Sequence, residues 1–226
     1  QLFWPFADTR IAWDTMSVVD PLFTLPILLL VVAASWTRRR WLVWFACVWM
    51  VSFFTLGWWQ HERAVWAAER VAQIRGHSPL RLTVKPSFAN LLLWKTIYEF
   101  DGDYYVDAVR VGMQPLWYQG ASVRKLELAR DFPGLGSDTR LAKDVERFRW
   151  FSDDYLAPLE NAPRIIDMRY SVVPNEIDPM WGIELDFSQP NQHVGWWGAR
   201  ELSDADQNSF LRMLVGLGGV PLEEED

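Results

Sequence analysis

The chain has 226 residues, room for one or two domains, with half of them hydrophobic and a net charge of −7. That charge is unevenly spread: residues 1–76 hold seven Arg against five Asp and Glu, a net +2, while residues 77–226 hold fifteen Lys and Arg against twenty-four Asp and Glu, a net −9. An acidic second half without a basic patch argues against nucleic acid as a partner, and a single cysteine, Cys47, excludes an intramolecular disulfide, a CxxC motif and a thiolate zinc cluster.

Residues 1–20 alternate bulky apolar groups with isolated charges: Trp4, Phe6, Asp8, Arg10, Trp13, Asp14 and Asp20. Gln1 leads straight into apolar residues without a basic leader or a cleavage pattern, so the sequence reads as the remainder of a longer protein. Arg10 and Asp14 are spaced to meet on a short helix. Asp20 before Pro21 is the ordinary way to begin a helix, an N-cap followed by proline at the first helical position. An acid beside a membrane surface is equally a candidate for chemistry.

Two apolar runs follow, Pro21 to Trp36 and Trp41 to Trp59, separated by Thr37 and the three arginines Arg38, Arg39 and Arg40. The second run has 19 residues. As a helix it would extend roughly 28 Å, close to the ~30 Å hydrocarbon core of a bilayer. Its tryptophans lie on every helical face and at both ends, as in an interfacial aromatic belt, whereas a soluble helix keeps a polar side. The pattern predicts a transmembrane helical hairpin with spans at about 17–36 and 41–59, with membrane lipid as the partner. Pro26 predicts a bend in the first span. The dense arginine loop places the turn in the cytoplasm and the C-terminal part outside it. From Gln60 to Arg75 polar and small apolar residues segregate on opposite sides, an amphipathic connector ended by Gly76.

Residues 77–226 read as a soluble α+β domain, mainly antiparallel, with two or three helices. Leu80, Leu82 and Val84 alternate with polar residues and predict a strand that ends at Pro86. Leu91 to Phe100 and Tyr104 to Val111 flank Asp101-Gly102, a strong hairpin signal. Val123 to Leu128 predicts a further strand. Ser137 is expected to cap a helix carrying Leu141, Val145 and Phe148. Ile166 to Val172 and Trp181 to Phe187 predict two strands joined by the loop Pro174 to Pro179. Ser203 opens a last helix with Phe210, Leu211, Leu214 and Val215 as its buried side, closed by Gly218-Gly219, and Glu223 to Asp226 reads as a solvated acidic tail.

No self-contained catalytic motif is visible. His61, His77 and His193 lack metal-ligand spacing, there is no GxSxG or Walker loop, and Gly216-Leu217-Gly218-Gly219 follows a helix instead of opening one. Asp101, Asp103, Asn175, Glu176 and Asp178 fit turns.

The stretch from Gln1 to Arg10, continued by Asp14 and by Val18 to Pro26, resembles the second half of the bacterial predicted membrane-bound metal-dependent hydrolases, also described as LexA-binding, inner-membrane-associated hydrolases. Pro86 to Trp94 resembles the start of that family's sheet domain. The resemblance implies an inner-membrane location and a divalent metal, zinc first, held largely by histidine motifs upstream of residue 1. On that footing the metal ligands in this chain are Asp20, Asp14 and Asp8. The catalytic set is Asp14, Asp20 and Arg10, with Arg10 holding an anionic substrate such as a phosphate ester or a lipid-like molecule. The rival expectation, drawn from the missing catalytic constellation, is a membrane-anchored binding or interaction module without enzymatic activity, its protein partner unknown.

Overall fold

The computed structural model describes residues 13–17, 19–159, 162–198 and 203–222. It is an α+β protein: two N-terminal helices followed by a mainly antiparallel sheet domain.

Helix α1 (Pro21–Thr37) starts where the proline signal places it, with Asp20 Oδ1 accepting from the backbone N–H of Leu22 at 2.9 Å and of Phe23 at 3.3 Å. It begins at residue 21 and not near 17 because that cap fixes its first turn. Helix α2 (Arg40–Ile74) packs back against it, with Phe23 meeting both Phe53 and Phe54. The expected second span and amphipathic connector are one unbroken helix of 35 residues, about 52 Å at ~1.5 Å per residue. By length and composition α2 is able to cross a membrane, while α1, at 17 residues, is shorter. Most large apolar side chains of both helices between Leu22 and Trp59 face outward. Gly76 (φ +74°) ends α2, with His77 N–H bonded to Ala72 O in a Schellman-type close.

Strands β1 (Arg81–Pro86), β2 (Leu93–Phe100), β3 (Asp103–Val111), β4 (Pro115–Arg124) and β9 (Val220–Pro221) form a five-stranded antiparallel sheet in the order β1-β2-β3-β4-β9. The Asp101-Gly102 turn joins β2 and β3 as its sequence predicts. The strand expected at Val123 to Leu128 is found only in its first two residues, which end β4: residues 125–127 are neither helix nor strand, and Leu128 already opens the short helix α3 (Leu128–Asp131). A second antiparallel sheet holds β5 (Leu156–Pro158), β6 (Arg164–Asp167), β7 (Trp181–Glu184) and β8 (Gly195–Gly198). The alternation after Ile166 leaves the ladder at Asp167, and Ser171 pairs with Pro179 only as an isolated bridge. Thr139, not Ser137, caps α4 (Arg140–Phe151), and Ser203 caps α5 (Asp204–Leu214) through a capping box with Asp206. Helix α5 ends at Gly216 (φ +89°), two residues before the expected stop, and buries Met213 while leaving Leu211 and Val215 exposed.

Both faces of the five-stranded sheet are covered, so β2 and β3 bury nearly every residue. On one face the alanine-rich side of α2 (Ala64, Ala67, Ala68, Val71) meets Val84, Trp94, Val109 and Val111. On the other, Ile97, Tyr104 and Val106 meet Ala157, Ile166 and Met168 of the second sheet, with α5 packed alongside through Met213. Helix α4 covers the far face of the second sheet through Val145 and Phe148. The second half of α2 is thus a core helix of the sheet domain, and its first half is the apolar projection.

Candidate functional site at the helix–sheet junction

Where the two halves of α2 meet, three chain segments converge. Residues 13–17 cross α2 at Gly57, where a Cβ would stand 2.5 Å from Thr15 O, so only glycine permits this approach. Asp14 sits there in the left-handed region (φ +46°), its Oδ2 ion-paired with Nζ of buried Lys85 on β1. Ser17 Oγ accepts from the N–H of Ala89 at 3.3 Å, tying the same segment to the β1–β2 connection.

Gln60 and Arg63 fasten α2 to that end of the sheet. Gln60 Nε2 donates to Leu91 O and to Val111 O, both at 3.0 Å, and Arg63 Nη1 donates to Val111 O at 3.1 Å while its Nη2 bonds Gly112 O. Asn90 shapes the β1–β2 connection: its Oδ1 accepts from the N–H of Leu92 and Leu93 at 2.9 and 2.7 Å, and its Nδ2 donates to Ser87 Oγ at 2.8 Å. Beside the junction a cavity of about 810 Å³ opens between Trp13, Thr15, Phe54, Trp58, His61 and Glu62.

Of the four residues singled out from sequence, Asp14 and Asp20 belong to this region, and Asp8 and Arg10 lie outside the described residues. Asp20 is almost fully buried. Its Oδ1 caps α1, and its Oδ2 is buried with no hydrogen-bond partner. A divalent cation requires several converging donors. Among the described residues no three His, Cys, Asp or Glu side chains gather, and the Asp14 carboxylate is committed to Lys85. Among the described residues Asp20 Oδ2 is the one buried carboxylate oxygen without a hydrogen-bond partner, and these residues do not assemble a metal-ligand set.

Three polar constellations elsewhere escape sequence reading. At the far end of α2, Arg75 makes a two-pronged contact with Asp107 at 2.5 and 2.8 Å and donates to Tyr98 Oη at 3.0 Å. Burial opposes its charge, but the bonds to Asp107 and Tyr98 outweigh that, and its pKa is raised. Asp107 is fully buried and also accepts from Trp117 Nε1 at 3.1 Å and Gly120 N–H at 2.9 Å, bracing the bulge where β4 slips against β3. Between the two sheets, Lys95 Nζ donates to Ser171 Oγ at 2.8 Å and Glu176 O at 2.7 Å, and burial pushes its pKa down to about 7. On α4, buried Asp144 meets His193 Nδ1 at 2.7 Å, holding the loop before β8.

A signal for two of these was present. Lys95 and Asp107 are charges in the middle of strand runs, each next to a large apolar residue, and a charge that is buried there stays only if it is paired or heavily hydrogen-bonded. Their partners are not inferable locally, since Arg75 is 32 residues from Asp107 and Ser171 is 76 from Lys95.

By fold the chain is an α+β protein in which the second half of α2 is built into the core of a mainly antiparallel sheet domain. No protein-family model, no curated protein and no solved structure matches this chain.

Proposed function

We propose that the chain is a membrane-anchored binding module, with the hairpin as the anchor and the acidic α+β domain as the part that meets a partner outside the lipid. One observation carries this reading: α2 is a single helix whose first half exposes apolar side chains on every side not covered by α1 and whose second half is part of the core of the sheet domain. An isolated helix with tryptophans on every face is costly in water and at home in lipid. Unlike a tether on a flexible linker, this one holds its domain at a fixed height and orientation.

The exposed Arg38, Arg39 and Arg40 at the hairpin turn support a bacterial inner-membrane location with the turn in the cytoplasm and the sheet domain outside it. Alkaline carbonate extraction of membranes carrying the full chain tests the anchor: the protein should stay in the pellet, and release into the supernatant removes it.

A second reading is the metal-dependent hydrolase implied by the resemblance at Asp8 to Pro26. The observation in its favour is the unpartnered Asp20 Oδ2, a buried carboxylate oxygen beside the junction. Asp20→Asn keeps the Oδ1 cap and alters the free oxygen. Metal content measured on the full-length protein and this variant separates the two readings: loss of bound metal in the variant favours the hydrolase, and a metal-free wild type favours the binding module.

A further inference from the structure

Two connections of the sheet domain end level with the point where α2 changes from apolar projection to core helix, and a third lies next to one of them. The β1–β2 connection reaches α2 through Leu91 O on Gln60, and the β3–β4 hairpin through Val111 O and Gly112 O on Gln60 and Arg63. The α5–β9 connection lies beside that hairpin, since Gly216 approaches Leu116 and Arg110, which are paired across β3 and β4. The strands run from this level to the β2–β3 turn at the opposite end of the sheet, and partway along β3 Asp107 meets Arg75, the residue that follows α2.

Each connection presents a large apolar side chain to the outside. Phe88 is 67% exposed, Met113 fully exposed and Leu217 57% exposed. Residues 86–92, 112–114 and 215–219 contain no ionisable side chain, in a domain with a net charge of −9. The opposite end is charged, with Asp101, Asp103, Lys125, Asp153 and Asp154 around the β2–β3 turn and its neighbours.

Single exposed apolar residues are ordinary on a protein surface. Exposed apolar tips at this end of the sheet are a different matter, because Gln60 and Arg63 tie two of them to the level where Trp58 and Trp59 close the apolar half of α2 and where Arg63 lies over the Trp59 ring at 4.9 Å. Arg63 and Arg110 stand beside the tips, cations at the height where the apolar half of the helix ends.

We infer that these tips form a rim by which the sheet domain rests in the headgroup and acyl-chain boundary of a phospholipid bilayer, with Phe88, Met113 and Leu217 inserted. The rim rests on the anchor reading and adds to it: the domain has a second, lateral contact with lipid that fixes its tilt and keeps the charged end facing away. The occupant is lipid and not a protein because the β1–β2 and β3–β4 tips stand at the level where the apolar half of α2 ends, so a bilayer around that half reaches the tips as well, with Arg63 and Arg110 at headgroup height.

The test uses the full chain with Cys47→Ser and one new cysteine at a time, Met113→Cys, Leu217→Cys, Asp101→Cys or Phe45→Cys, each carrying an environment-sensitive fluorophore. The proteins are reconstituted into vesicles of phosphatidylcholine and phosphatidylglycerol containing lipids with spin-labelled acyl chains. Labels at 113 and 217 should be quenched several-fold more than the label at 101, and the label at 45 should be quenched as well. If 113 and 217 behave like 101 while 45 is quenched, the rim is wrong and the anchor stands. An unquenched label at 45 overturns both. Labels at 113 and 217 that are shielded from aqueous iodide yet untouched by the lipid quencher indicate a protein contact and also overturn the rim.

Discussion

Asp107 shows what a single buried charge commits a fold to. Its carboxylate takes two bonds from Arg75, one from Trp117 and one from Gly120. Removing one partner of such a pair leaves the other charged and dry, which costs about 3–5 kcal/mol. Arg75→Met should therefore lower the thermal stability of the detergent-solubilised chain by about that amount. Arg75→Met combined with Asp107→Leu should recover part of the loss, because it removes the stranded charge. Lys95 gives a prediction of different form. Its folded pKa of about 7 lies below the unfolded value of about 10.5, so between these values the unfolded chain binds the extra proton and stability rises with pH. Below pH ~7 both states are protonated and the group's contribution is flat and unfavourable. Melting curves of the wild type and Lys95→Met should show the difference shifting toward the wild type as pH rises from about 7 to about 10. A constant difference would mean that Lys95 is not held in the shifted state. Both residues lie mid-strand among apolar neighbours, but other charges share their strands and their partners come from distant segments, so no local pattern names them.

At the scale of elements, the boundaries that local chemistry controls are the ones the sequence discloses. Asp20-Pro21 opens α1, Gly76 ends α2, Asp101-Gly102 turns β2 into β3, and Ser203 opens α5. Asp20→Ala should cost about 0.5–2 kcal/mol through loss of the cap, seen as a lower melting temperature, while Asp20→Asn should cost far less. Elements controlled by distant packing are read less well. The run from Ile166 to Val172 alternates like a strand, yet leaves the ladder at Asp167, whose carboxylate is held by Arg169 at 2.6 and 2.9 Å. Helix α5 turns Met213 inward in place of Leu211 because the face meeting Tyr118 and Val173 is chosen by the sheet, not by the helix alone. The joint between helix and sheet is also an element-scale device. Gln60→Leu should leave Leu91 O and Val111 O without their Gln60 donor and cost about 1–3 kcal/mol, measured by denaturation of the full chain.

On the scale of the whole molecule, the junction, and with it the proposed anchor and rim, rests on one rod. Because α2 runs unbroken from the arginine turn to the core of the sheet domain, the domain takes its height and orientation from the helix. A reporter active only outside the cytoplasm, fused at the C-terminus, should be active if the turn faces inward as its arginines direct. Activity from a cytoplasm-only reporter would reverse the orientation. The sequence by itself determined that an apolar helical segment precedes an acidic α+β domain, and where several elements start and turn, because periodicity and turn chemistry act over a few residues. Only the tertiary structure decided that the apolar segment and the connector run on as one helix without a kink, that α5 buries Met213, that Asp14 is claimed by Lys85, and that the β1–β2 and β3–β4 connections meet at Gln60 and Arg63. Those outcomes depend on which faces of a fully covered sheet meet which helix, a choice settled by packing between residues far apart in the chain.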